Sequence, residues 1–198
     1  MKCLAVNTAN SILSVALCDG DKTLYHFETP ETRDQGNLLL FHAQKALDAA
    51  SIGYDGLDLM AVVTGPGSFT GIRIGLAAMR ALAMAAAKPL VGLSSFELFD
   101  IAPEDGTVCV VAVEAWREEL YFKSGEEEAV NVLPAVYADH LREMYAGQKI
   151  VICGDAAEKL AAFLPEAQVI APAPDARILA QKAVQKFMRD GAQSAAVR

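Results

Sequence analysis

Leu59-Met60-Ala61-Val62-Val63-Thr64-Gly65-Pro66-Gly67-Ser68-Phe69-Thr70-Gly71-Ile72-Arg73-Ile74-Gly75 is the stretch of this 198-residue chain whose pattern decides the fold. Residues 59–64 form a short apolar run of strand character that enters a Gly-Pro-Gly-Ser turn, after which helical spacing persists over residues 69–87. Strand, tight loop and helix in that order predict an α/β layer. The loop has two readings. Backbone N–H groups around Gly65, Gly67, Ser68 and Thr70 can cradle a phosphate at the positive end of the helix, or Ser68 can simply cap it. No Gly-Lys-Ser/Thr follows and no GxGxxG is present, so neither the NTPase P-loop nor the dinucleotide fingerprint applies.

The helix after the loop is unusual. Gly71, Gly75, Ala78, Ala81, Ala85 and Ala86 are small, Ile72, Ile74, Leu76, Met79, Leu82 and Met84 are large and apolar, and only Arg73 and Arg80 are charged. A glycine within a helix costs roughly 0.5–1 kcal/mol relative to alanine, so two of them suggest a close approach of another backbone that offsets the loss. A helix apolar nearly all round lies either inside the molecule or at an interface.

On the N-terminal side, residues 4–6, 12–18 and 23–27 are β-type runs separated by residues 8–11 and by Asp19-Gly20-Asp21, a hairpin signal, which predicts three antiparallel strands. Residues 35–51 are helical, with Leu39, Ala43, Ala46, Leu47 and Ala50 on one side and Leu38, Phe41 and Lys45 partly around the other. The unbroken run Leu38-Leu39-Leu40-Phe41 gives this helix more than one apolar face as well. On the C-terminal side a strand at 89–93 precedes Ser94-x-x-Glu97, a capping box for a short helix towards Ile101, and residues 102–106 read as a linker. The pattern then restarts, with strands at 107–113 and 119–123, an acidic turn at Glu126-Glu127-Glu128 and a helix at 134–145. A strand at 150–153, a helix at 155–163, a strand at 169–170 and a helix at 174–189 complete it. Two α/β lobes are expected, 1–102 and 103–198, the second smaller.

Composition narrows the function. With 25 acidic against 17 basic side chains the formal charge is −8, which argues against a nucleic-acid binder held by its own phosphate contacts. At 53% hydrophobic residues the chain is more apolar than a core of this size needs, and the surplus is expected on an interface. A membrane span is not expected, since the apolar stretch 74–87 is broken by Arg80 and falls short of about 20 residues. Asn7, Thr8, Asn10 and Ser11 come too early for a signal peptide, so a cytoplasmic location is expected. Cys3, Cys18, Cys109 and Cys153 form no CxxC pair and read as buried thiols. His26, His42 and His140 lack the i, i+3 or i, i+4 spacing of a helical metal site, so neither a metal nor a catalytic residue is assigned.

The run from Gly65 to Gly75 resembles the TsaB (YeaZ) family, a subunit of the bacterial machinery for threonylcarbamoyladenosine in tRNA. Leu4-Ala5-Val6-Asn7-Thr8, Ser14-Val15-Ala16-Leu17, Leu39-Leu40 and Pro89-Leu90-Val91-Gly92-Leu93-Ser94-Ser95 extend the match over roughly the first hundred residues. Weaker matches follow at Ala115, Arg117, Glu119 and Tyr121 and at Gly154-Asp155. The resemblance implies an actin-like ATPase (ASKHA, RNase H-like) fold of two lobes with a reduced second lobe. It also implies a non-catalytic subunit that binds and activates the paralogue TsaD, joined by the ATPase TsaE, for threonylcarbamoyl transfer to the adenosine beside the anticodon. Tight cofactor binding is not implied, ATP or ADP has a place only at the complex with TsaD, and tRNA is met only through that complex. The family contact is a bundle of the two first-lobe helices. Partner candidates here are Leu38, Leu39, Phe41, His42, Lys45, Gly71, Ile72, Gly75, Met79 and Leu82. Without TsaD, the same apolar faces are expected to form a homodimer. Two departures stand out: Asn7 replaces the family's usual Asp, and Glu114 and Trp116 replace an Asp and an Arg. A neutral amide is a poor Mg²⁺ ligand or base. The alternative is a small ASKHA-type phosphotransferase or metallopeptidase-like hydrolase acting alone through the loop at 65–70.

Overall fold

A computed structural model describes residues 1–10, 12–30, 34–99, 106–115, 117–170 and 175–191. Ser11, Ile101, the linker at 102–105 with the expected lobe boundary, Trp116 and the predicted helix start at 174 lie outside the described residues.

Strands β1 (Lys2–Asn7), β2 (Leu13–Asp19) and β3 (Lys22–Thr29) form the expected antiparallel meander. Gly20 turns the first hairpin with a φ of 58°, a conformation glycine adopts without a Cβ penalty. Helix α1 (Gln35–Ala50), β4 (Leu59–Val63), α2 (Phe69–Ala86) and β5 (Leu90–Leu93) complete a five-stranded sheet of order β3-β2-β1-β4-β5, with β4 parallel to both β1 and β5. Helix α3 (Ser95–Phe99) starts with the predicted capping box. The Ser94 N–H donates to Glu97 Oε2 at 2.7 Å and the Glu97 N–H to Ser94 Oγ at 3.1 Å.

The second half comprises β6 (Thr107–Val113), β7 (Leu120–Ser124), β8 (Val130–Val132), α4 (Pro134–Met144), β9 (Lys149–Cys153), α5 (Ala157–Ala161), β10 (Gln168–Ile170) and α6 (Ala176–Asp190). Its sheet order, β8-β7-β6-β9-β10, repeats the first strand for strand, and its antiparallel and parallel pairings fall in the same places. Reduction is visible where α5 has 5 residues and its counterpart α2 has 18. The sequence pattern lacks β8, whose exposed three-residue run Val-Asn-Val directly after an acidic turn is too short to show alternation.

Each sheet is sandwiched. Helices α1 and α2 cover one face of the first through Leu39, Ala43, Leu47, Met79 and Ala83. The other face is covered by α6, whose Ala176, Leu179, Ala180 and Ala183 form a helical stripe against Ala5, Ala16, Ala61 and Val63. On the second sheet α4 and α5 cover one face, while Phe96 and Phe99 of α3 pack with Val111, Val113 and Cys153 on the other. The last helix of each half therefore crosses to the other half's sheet. Residues 176–190 pack on the first sheet, where a stripe of alanines fits closely over its small side chains. Lys186 ties α6 to Glu97 at 2.7 Å. Burial alone would raise the Glu97 pKa, but bonds from Lys186 and Ser94 outweigh it and hold the carboxyl below its ordinary value.

By length and composition α2 is long and apolar enough to cross a membrane, with a mean hydropathy of 1.3 over 18 residues. The stretch 74–87 alone underestimates it because the helix begins at Phe69.

Candidate functional site

Three features of the first half converge: the loop at 65–68, the start of α2, and the outer faces of α1 and α2. The loop is fastened from both sides. The Ser68 N–H donates to the Ala9 carbonyl at 2.7 Å, the Ser95 N–H to the Gly65 carbonyl at 2.8 Å, and Ser95 Oγ to the Pro66 carbonyl at 2.6 Å. Gly67 has a φ of 151°, and a Cβ there would collide with the Ala9 carbonyl oxygen. Ser68 caps α2 by accepting from the Gly71 N–H at 3.2 Å. The Ser68 N–H, one of those that would cradle a phosphate, is thus used within the chain, and its hydroxyl caps the Gly71 N–H, which favours the capping reading. Ser68→Ala is expected to cost about 1 kcal/mol of stability, measured as a shift in the urea midpoint.

The glycines of α2 face inward. Thr8 Oγ1 donates to the Gly71 carbonyl at 2.7 Å, and a Cβ at Gly71 or Gly75 would strike the Thr8 carbonyl oxygen or hydroxyl. The close approach inferred from these glycines is made by Thr8, directly after β1 of the same chain. Of the ten partner candidates, Leu39, Gly71, Gly75 and Met79 are buried and unavailable to a partner. Periodicity misplaced them because a helix apolar all round gives no sign of which side meets its own sheet. Leu38, His42, Ile72 and Leu82 are half-buried, and Phe41 and Lys45 are exposed, with the Lys45 ammonium 5.4 Å from the Phe41 ring centroid. Structure adds members that the candidate set lacks: Leu40, Phe69, Ala77, Ala81, Met84 and Ala85 are all exposed. Phe41 is 55% exposed, Phe69 73% and Met84 83%, high values for large apolar side chains gathered on two neighbouring helices. A shallow groove of about 360 Å³ runs along α2 between Phe69, Arg73, Ile74 and Ala77.

His42 sits at the edge of this face. Its ring stacks on Phe27 with centroids 3.3 Å apart and its Nδ1 lies 2.6 Å from the Tyr25 hydroxyl. Partial burial and Lys45 lower its pKa, while burial raises that of Tyr25, so the fold favours a neutral pair in which the Tyr25 O–H donates to Nδ1. With the folded pKa depressed below the ordinary 6.5, the unfolded chain takes up this proton first, and the contribution of His42 to stability falls as the pH drops below 6.5. His42→Gln is expected to flatten that part of the stability–pH profile, as followed by thermal melts.

A second feature is the cleft between the two halves, about 440 Å³, where Gly67, Ser68 and Thr70 face Arg117, Tyr121 and Asn131. Beyond the end of β1, polar groups of the two halves are engaged with one another. Asn7 Oδ1 accepts from the Ala9 N–H and its Nδ2 donates to Asn10 Oδ1, both at 3.0 Å. Asn10 Nδ2 donates to Asp155 Oδ2 at 3.3 Å, and Asp155 Oδ1 accepts from the Glu114 N–H at 2.9 Å. The Lys159 ammonium lies 2.5 Å from Glu114 Oε2. A neutral amide, carboxylates already bonded and an ammonium among them do not fit a divalent cation. Among the described residues no group of three or more His, Cys, Asp or Glu side chains could hold a metal.

A family model described as TsaD, tRNA N6-adenosine threonylcarbamoyltransferase, matches residues 33–196. The protein named tRNA threonylcarbamoyladenosine biosynthesis protein TsaB from Escherichia coli (strain K12) is 32% identical over 145 residues, covering 73% of this chain and 53% of that protein. The chain belongs to the TsaB (YeaZ) family of TsaD-type proteins. It spans about half the length of the curated TsaB relatives it matches first. A crystal structure from Pseudomonas aeruginosa, described as similar to the peptidase YeaZ, superposes with a TM-score of 0.78 at 20% identity, covering 96% of this chain and 93% of that one. An activator of 2-hydroxyisocaproyl-CoA dehydratase from Clostridium difficile follows at a TM-score of 0.53 and 8% identity, covering 100% and 99%. These likenesses establish the actin-like, RNase H-like fold for this TsaB-family chain.

Proposed function

We propose that the chain is a non-catalytic subunit in threonylcarbamoyladenosine modification of tRNA, docking on its cognate TsaD-type protein through the outer faces of α1 and α2 and activating it there. The observation that carries this is the exposed apolar surface of Phe41, Phe69 and Met84 beside the small side chains Ala77, Ala81 and Ala85. Small residues let a partner helix approach closely while the large ones fill its grooves. Exposed Arg73 and Arg80 along the same helix suit a protein partner better than lipid, so no membrane association is proposed and the cytoplasm is the proposed location. In the absence of TsaD the same face pairs two copies of the chain, and TsaE and tRNA join only through the complex. Nucleotide, which the Clostridium difficile activator holds as ADPNP, is assigned no tight site in this chain, since the polar groups that join the two halves after β1 are taken up in the Asn7–Asn10–Asp155 bonds and the Lys159–Glu114 pair. The alternative of a phosphotransferase or hydrolase acting alone is not favoured for the same reason.

Mixing the purified chain with its cognate TsaD tests the proposal. Co-elution as a complex smaller than the sum of two homodimers, with no ATP hydrolysis or peptide hydrolysis by the chain alone, is expected. Separate elution, or turnover by the chain alone that is lost on altering Ser68 and Thr70, would overturn it.

A further inference from the structure

On the far side of the second sheet lies a groove of about 480 Å³, bounded by β8 and α4. Its walls are Val130, Val132, Val136 and Tyr137, and its rim carries Glu127, Glu128 and His140. Strand β8 is an edge strand, and among the described residues no strand pairs with its outer side. Side chains alternate along it. Asn131 reaches the interlobe cleft, whereas Val130 and Val132 line the groove on the opposite face, so the groove is separate from the cleft. An open strand edge beside an apolar trough is the geometry by which an extended segment adds to a sheet, backbone bonds giving affinity and alternate side chains entering the trough.

Charge selects the occupant. Glu127 is held in place, accepting from Ser124 Oγ and facing His140 Nε2 at 3.4 Å. Ser124 in turn accepts from the hydroxyls of Tyr137 at 3.0 Å and Tyr145 at 3.3 Å, so the wall behind this carboxylate is fixed by four side chains. The Ser124 bond and His140 keep the Glu127 carboxyl below its ordinary pKa and therefore charged at neutral pH. With exposed Glu128 beside it, the rim at the start of β8 is acidic, on a chain whose net charge is −8. A basic group is attracted and an acidic one repelled.

We infer that the outer edge of β8 docks an extended partner segment with apolar side chains at alternate positions and a Lys or Arg at the end lying beside Glu127 and Glu128. Nothing in this inference depends on α1 or α2, so it stands or falls apart from the proposed TsaD contact.

The probe is a fluorescein-labelled peptide alternating valine and threonine and ending in arginine, titrated by fluorescence anisotropy against the full chain. Saturable binding is expected. It should weaken about tenfold for Val136→Asp, for Glu128→Lys, and for the same peptide N-methylated on alternate backbone nitrogens along its pairing edge. Val136 and Glu128 are exposed, so both variants fold, as circular dichroism would check. Absence of saturable binding overturns the inference. So does equal binding of the N-methylated peptide, which would make the contact one of charge alone, or a homodimer dissociated by Val136→Asp, which would make the occupant a second copy.

Discussion

Ala81→Glu is expected to weaken association with the cognate TsaD by at least about 100-fold, on the order of 3 kcal/mol, while shifting the stability of the monomer by no more than about 0.5 kcal/mol. Ala81 is exposed on α2, one turn from Ala77 and Ala85 and beside Met84. Its small size matters only if another helix lies close. A carboxylate placed in such a seam loses water without gaining a partner, and an unpaired buried charge is among the most disruptive single changes at an interface. The monomer has no reason to respond, because there the new side chain points to solvent, whereas the pairing of two copies through this face should weaken with the TsaD contact. Calorimetric titration and a urea melt of the same variant separate the two effects. An unchanged dissociation constant would remove α2 from the contact.

Gly71→Ala is expected to act in the opposite sense, destabilising the fold rather than detaching it from a partner. In an ordinary helix the exchange of glycine for alanine stabilises by roughly 0.5–1 kcal/mol. Here the added Cβ would fall on the Thr8 carbonyl oxygen, a backbone atom in the buried strand-to-loop turn that cannot move aside, and the Thr8 Oγ1 bond to the Gly71 carbonyl would be strained with it. Overpacking a rigid site costs about 1–3 kcal/mol and sometimes more, so against that gain the net effect is a loss of about 1–2 kcal/mol. Gly75→Leu should be worse, meeting Thr8 and Val62. Chemical denaturation checks both. A stabilised Gly71→Ala would mean that α2 does not lie against Thr8 as described.

These two substitutions mark the border of what the sequence could tell. Strand, loop and helix at 59–87 were legible because apolar runs, Gly-Pro-Gly and helical spacing are local signals, and the Ser94–Glu97 capping box was legible for the same reason. Direction was not. Gly71 and Ala81 both read as small residues on an apolar helix, yet Gly71 faces Thr8 and Ala81 faces solvent, a difference set by packing against β1. The pattern Ala176, Leu179, Ala180, Ala183 predicted a helix but could not say which sheet it covers, because its contacts with Ala5, Ala16, Ala61 and Val63 lie more than 100 residues away along the chain. In the cleft, Asn7 was readable as a poor metal ligand. Its coupling through Asn10 to Asp155, 145 residues beyond Asn10, was not.

The most direct test is reconstitution: threonylcarbamoyl transfer to tRNA by the cognate TsaD and TsaE, measured without this chain, with it, and with Ala81→Glu. Transfer that appears only with the unaltered chain, and is lost with a folded Ala81→Glu, is the predicted result. Equal transfer in all three mixtures would contradict an activating role for the faces of α1 and α2.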